Sequence, residues 1–192
     1  MDRWAAVQAS RPALASPYFC PQFTHAVAQV RDDAFVLVDE SNGSPLFFPF
    51  QRSSLGRGRP IGGALNDCQG IVAADDHFDL AEVLASARLQ SFEYDHVVAG
   101  QAPFAPWHRH HDVSPRMDLA DGYEAYLADR KAAGTELISQ ILRKRRKLER
   151  EHGPLRFDLN DPDSRAFEKL REWKSAQYRA SGLTDVLSFP WT

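Results

Sequence analysis

A chain of 192 residues, 43% hydrophobic and 26% charged, can build one hydrophobic core, or one domain and part of a second. Its formal charge of −3 lacks the basic excess usual among nucleic-acid binders, so specific nucleic-acid recognition is not expected. No apolar run is long enough for a membrane span, residues 1–19 lack the apolar stretch of a signal peptide, and Cys20 and Cys68 form no CxxC pair, which together point to a cytoplasmic protein.

Residues 1–20, broken by Pro12 and Pro17, read as a lead-in with limited regular structure. Pro21 is placed to start a short helix with Phe23, Ala26, Val27 and Val30 on one side. The segment 34–40, AFVLVDE, has the composition of a buried strand; SNGS at 41–44 is a turn, and PLFFPFQR at 45–52 a second strand, giving a hairpin. Pro49 then belongs at an edge, a bulge or a strand end. The glycine-rich segment after it predicts short strands around a loop at 62–67.

DLAEVLASARLQS at 79–91 predicts a helix capped by Asp79, with Leu80, Val83, Leu84 and Ala87 inward. Residues 92–100 alternate like a strand, 101–111 form a connection rich in proline and histidine, and 112–119 can re-enter the sheet. Helices follow at 121–134, ending at Gly134, and at 135–153, with Thr135 as its cap and Gly153 as its end. A strand at 155–160 leads to a helix started by Asp161 and Pro162 and ended by Gly182, with Phe167, Leu170, Trp173, Gln177 and Tyr178 near one face. This order predicts an α/β or α+β protein, a mixed sheet flanked by helices. The segment ending FPWT starts a further apolar stretch, and a larger C-terminal partner is expected after it.

The helix at 135–153 contains an unbroken basic run, Arg143 to Lys147. Leu137, Ile138, Ile141, Leu142 and Leu148 can face inward, while Arg143, Lys147 and Arg150 share another face and Lys144 and Arg146 widen it. Arginine grips phosphate or carboxylate with two donors, so this face can meet an anionic ligand and is expected to border the main cleft. The competing reading is a solvated face paired with Glu149 and Glu151.

Other signals are weaker. GRGRPIGG at 56–63 is neither a P-loop nor a dinucleotide fingerprint, although Arg57 and Arg59 could form a small anion nest. His108, His110, His111 and Asp112 carry metal-ligand chemistry without a recognised spacing, and no metal is predicted. His96 beside Asp95 would point to the opposite face of a strand. No GxSxG elbow is present, and no general acid or base can be assigned.

Three stretches carry a family resemblance: SPYFCPQF at 16–23, the glycine-rich segment with its flanks at 45–73, and LISQILRKRRKLEREHGPLRFDL at 137–159. In this order they resemble CelD/BcsL-type proteins of cellulose or exopolysaccharide production, which are GNAT-like and related to the FemAB aminoacyltransferases. The resemblance implies a lead-in at 1–20, a GNAT-like N-terminal domain at 21–134, and a basic helix opening a second GNAT-like half at 135–192. It implies acyl transfer to an amine or hydroxyl once a second half completes the protein, with acyl-CoA as donor. Asp67 would border the acceptor cleft, and Arg143, Arg146, Lys147 and Arg150 would contact an anionic small molecule, carrier or polysaccharide precursor. Tyr178 and Asp185 are further polar candidates near the second half. The chain departs from the pattern in lacking a Q/RxxGxG/A acyl-CoA loop, so weak CoA binding or none, and an inactive isolated chain, are expected. A homo-oligomer or a partner domain could complete it. The alternative is a non-catalytic binding or assembly module on a degenerate GNAT-like fold.

Overall fold

The computed structural model describes residues 2–41, 43–159 and 161–192. It divides into two compact units, residues 1–109 with 171–192, and residues 110–170.

The first unit is built on a four-stranded mixed sheet, with strands β1 (Ala34–Asp39), β2 (Leu46–Arg52), β3 (Arg57–Pro60) and β4 (Ser91–Phe92) in the order β1-β2-β3-β4. The first two pairings are antiparallel and β3–β4 is parallel, so the class is α+β. Strand β2 is central and buried from Leu46 to Gln51. Strand β1 is an edge, not the buried strand its composition predicts: Phe35, Val36 and Val38 are 38–50% exposed. An edge strand has a neighbour on one side only, so its apolar residues are less covered.

Pro49 sits in the central strand, opposite Val36. Arg52 donates its N–H towards β1, to Asp33, whereas Phe47 exchanges both bonds with Val72 on the other side. Backbone direction alternates, so the nitrogen of Pro49 faces the Phe47 side. There it lies between the isolated Val72 bridge and the β3 ladder, which begins at Phe50 opposite Pro60. The missing donor falls where the sheet changes partner.

Strand β2 is apolar on both faces because both are covered. Leu46, Phe48 and Phe50 pack with Ile71, Phe104 and the inner side of helix α3 (Leu80–Ser86). Asp79 caps α3 by accepting from the N–H groups of Ala81 and Glu82, as its sequence predicts. Phe47 and Val72 pack on the other face with Trp4, Val7, Leu14 and Phe19. Those four residues correct the reading of 1–20 as irregular: helix α1 (Asp2–Ser10) and 3-10 turns at Pro12–Leu14 and Pro17–Phe19 position them. Trp4 stacks on Phe47 at 5.0 Å and donates its indole N–H to the Phe19 carbonyl. Helix α2 (Pro21–Ala28) starts at its proline as expected, but it buries Pro21, Thr24 and Val27 and leaves Ala26 and Val30 outside.

Expected strands shrink elsewhere. Of 92–100, only Phe92 joins a strand, with an isolated bridge from Val97 to Gln69. Residues 112–119 and 155–159 form no strand, and Asn160 lies outside the described residues. Of the turn expected at 41–44, Asn42 lies outside them too; Gly43 has a φ of 75°.

The second unit holds helices α4 (Tyr123–Ala132) and α5 (Leu137–His152) and the start of α6 (Ser164–Ala180). Helix α4 ends on Gly134 in the left-handed region: Gly134 N–H reaches the Lys131 carbonyl and Thr135 N–H the Arg130 carbonyl. Thr135 therefore finishes α4 instead of capping α5, which starts at Leu137 without a side-chain cap. No described residue of 110–170 is buried. Of the residues expected inward, Leu137, Ile141, Leu142 and Leu148 are 43–60% exposed and Ile138 is half-buried.

Candidate functional site

Helix α5 carries its cations as the spacing predicts. Arg145 pairs with Glu149 at 3.1 Å and Lys147 with Glu151 at 3.7 Å, each four residues along the helix. Arg146 turns back to the Leu142 carbonyl at 3.3 Å. Arg143, Lys144 and Arg150 pair with no carboxylate among the described residues. Of the three shared-face cations, Arg143 and Arg150 keep a full charge for an outside anion and Lys147 is partly neutralised. The exposed pairs each contribute only about 0.3–0.5 kcal/mol.

Asp67 lies in the first unit, just after the 3-10 turn Gly63–Leu65. The turn is fixed by Gly62, at a φ of 81°, where an added Cβ would lie 2.6 Å from the Phe23 ring. Asn66 is buried and ties the turn down, donating to the Ile61 carbonyl and accepting from Cys68 N–H, both at 2.9 Å. Asp67 itself is exposed. Burial first, then the negative charge of Asp67 and the proximity of Cys68, pushes the Tyr18 phenol above its ordinary pKa. The hollow next to them, between Tyr18, Pro49, Pro60 and Cys68, holds only about 10 Å³, the room of a single water at most.

The sequence reading separated His96 from Asp95, but the structure joins them. His96 Nδ1 lies 3.1 Å from Asp95 Oδ1, because this segment leaves the strand conformation after Phe92. Gln69, buried, organises the pair: its Oε1 accepts from the N–H groups of Asp95 and His96, and its Nε2 donates to Asp95 Oδ1. Burial pushes the Asp95 carboxyl up, but the bonds from His96 and Gln69 outweigh it and leave its pKa lowered. A buried glutamine far along the chain has no sequence signal that marks it as the hub.

Among the described residues, no group of three or more His, Cys, Asp or Glu side chains could hold a metal ion. His108 ends the 3-10 stretch Ala102–Trp107 against the Tyr94 ring, and His110 and His111 are exposed. No described helix is long and apolar enough to cross a membrane.

A larger hollow of about 660 Å³ opens at the β2–β3 turn, lined by Arg52, Ser53, Gly56, Arg57, Arg88 and Gln90 among others. Both hollows lie in the first unit, whereas helix α5, expected to border the main cleft, lies in the second. Arg59, the other arginine of the expected nest, turns instead to Asp33 at 3.5 Å.

A family model described as an acetyltransferase (GNAT) domain matches residues 136–192. The matched segment contains all of α5 and α6, including Arg143, Arg146, Lys147 and Arg150, and excludes Asp67. The mixed sheet flanked by helices is consistent with an α+β GNAT-like fold. No curated protein and no solved structure matches the chain.

Proposed function

We propose that this protein is a GNAT-type acyltransferase of the CelD/BcsL kind, working in cellulose or exopolysaccharide production. It would move an acyl group from acyl-CoA to an amine or hydroxyl acceptor. One observation carries the reading: the acetyltransferase-domain match falls on the segment that holds the basic helix. Acyl transfer is the general chemistry of such domains. Bound acyl-CoA would supply the activated thioester. The charges present fit its phosphates, since Arg143, Lys144 and Arg150 are cations with no carboxylate partner among the described residues. Their part is binding and orientation. Asp67 would serve the acceptor side, by its place after the glycine turn.

A second reading, a non-catalytic module that binds an anionic carrier or polysaccharide precursor, has its own support. No described residue of 110–170 is buried, whereas acyl transfer needs a water-excluding cleft. A second copy or a partner domain could supply that cleft.

Calorimetric titration with acetyl-CoA distinguishes the two. The first reading expects weak, salt-sensitive binding that falls about tenfold or more in an Arg143→Gln, Arg150→Gln double variant. Identical binding by wild type and variant, or none up to about 10 mM, would remove it in favour of the second.

A further inference from the structure

We propose that the hollow between the β2–β3 turn and the end of α3 binds a phosphorylated small molecule, by gripping its phosphate or diphosphate group with Arg52, Arg57 and Arg88. It lies outside the segment matched to the acetyltransferase domain and does not rest on the acyl-transfer reading.

Three observations carry this. The first is unbalanced charge. Arg3, Arg11, Arg31 and Arg59 each face a carboxylate within 4.0 Å. Arg52, Arg57 and Arg88 line one concave surface, and no described carboxylate pairs with any of them. Three arginines around one hollow concentrate positive charge there, and a lone carboxylate would leave most of that charge unbalanced. A phosphate monoester or diphosphate carries more charge and offers several oxygens to bidentate donors.

The second is rigidity. Gln90 N–H donates to the Gly56 carbonyl at 2.8 Å, so the end of α3 is tied to the turn. Arg52 Nη1 donates to the Ala87 carbonyl at 2.8 Å, and its guanidinium lies over the Phe35 ring at 4.4 Å. Ser53 Oγ accepts the N–H of Arg57 at 3.1 Å, which leaves the hydroxyl proton for an anion. At Gly56 a φ of 72° favours glycine, and an added Cβ would also crowd the Gln90 side chain at 3.2 Å.

The third is strain. Arg88 is the one non-glycine among the described residues with positive φ, at 56°. Its N–H reaches the Ala85 carbonyl and Leu89 N–H reaches Leu84, so Arg88 holds the left-handed position that ends α3. Glycine holds the equivalent position after α4 and after α6, at Gly134 and Gly182. A strained arginine where glycine fits better is the kind of outlier that marks a functional position.

Inorganic pyrophosphate is the probe, titrated into the full chain at low salt by calorimetry and followed by the arginine Nε–H resonances. The expected result is one saturable site. Arg57→Gln and Arg88→Gly should each weaken it about tenfold, while Arg116→Gln, exposed in the second unit and outside both candidate sites, leaves it unchanged. Arg88→Gly relieves the strained turn, so loss of binding there cannot be ascribed to unfolding. Three results would overturn the proposal. One is no saturation by about 10 mM. Another is equal loss in the Arg116→Gln control, which would mean diffuse attraction. The last is equal affinity for citrate, which would mean that phosphate is not recognised.

Discussion

The side-chain amide of Gln101 pairs with the backbone of Ile71 as a neighbouring strand would. Its Oε1 accepts from Ile71 N–H at 2.9 Å and its Nε2 donates to the Ile71 carbonyl at 2.7 Å. Both residues are essentially without solvent contact, so this amide alone satisfies that stretch of backbone. Gly70 makes room for it: an added Cβ would lie 2.6 Å from the amide, at a φ of 143°. Gln101→Ala should cost roughly 2–5 kcal/mol, since it strands a buried donor and acceptor and leaves a cavity. Gly70→Ala should also destabilise, and the double variant should fall short of the sum by about 1 kcal/mol or more, because both changes break the same contact. Urea denaturation of the four proteins measures this; strict additivity would show the contact to be unimportant.

Asp33 makes stability acid-sensitive. Hydrogen bonds from Arg31 chiefly, and from Gln51, outweigh burial and hold its carboxyl below the usual carboxylate range. A depressed folded pKa contributes stability that is fully present above the unfolded value, near 3.9, and is lost as pH falls through the folded one. The stability gap between wild type and Asp33→Asn should stay constant above about pH 5 and shrink below about pH 4. Thermal melts across that range would show it, and a gap unchanged at low pH would contradict the assignment.

Arg88→Gly should stabilise the fold. The left-handed conformation costs a non-glycine residue about 1–2 kcal/mol, and glycine's extra unfolded entropy returns about 0.5–1, leaving a net gain of roughly 0.5–1 kcal/mol. The melting temperature should rise by a few degrees. A fall would mean that the arginine side chain supports the turn in its own right.

Aromatic residues of the two units should respond differently to truncation. Phe48 is fully buried, stacked on Phe50 at 5.0 Å and edge-on to Phe92 at 5.1 Å, so Phe48→Ala should cost roughly 3–5 kcal/mol. Phe167 on α6 is 62% exposed, and Phe167→Ala should stay within about 0.5 kcal/mol, helped by alanine's helix propensity. A large loss at Phe167 would reveal a partner, such as a second copy, covering that face in solution.

Parts of this were legible without coordinates. The capped helix α3, the apolar strand β2 and the glycine ends of α4 and α6 follow from neighbours within a few positions. Helix α1 was missed because Trp4 and Val7 alone do not make a recognisable periodicity, although both are buried. The Asp95–His96 pair was missed because its geometry depends on Gln69, more than twenty positions earlier.

By itself the sequence determined the β1–β2 hairpin, the helices from α3 onward, a class mixing α and β, and the cationic face of α5, since propensity, capping and periodicity act over one or two turns of chain. Only the tertiary structure decided that β1 is an edge, that Asp67 stands on an exposed turn beside Tyr18, and that Arg52, Arg57 and Arg88 share one hollow. Those outcomes depend on which distant segments meet, and burial, charge convergence and strain are properties of the meeting, not of any segment alone.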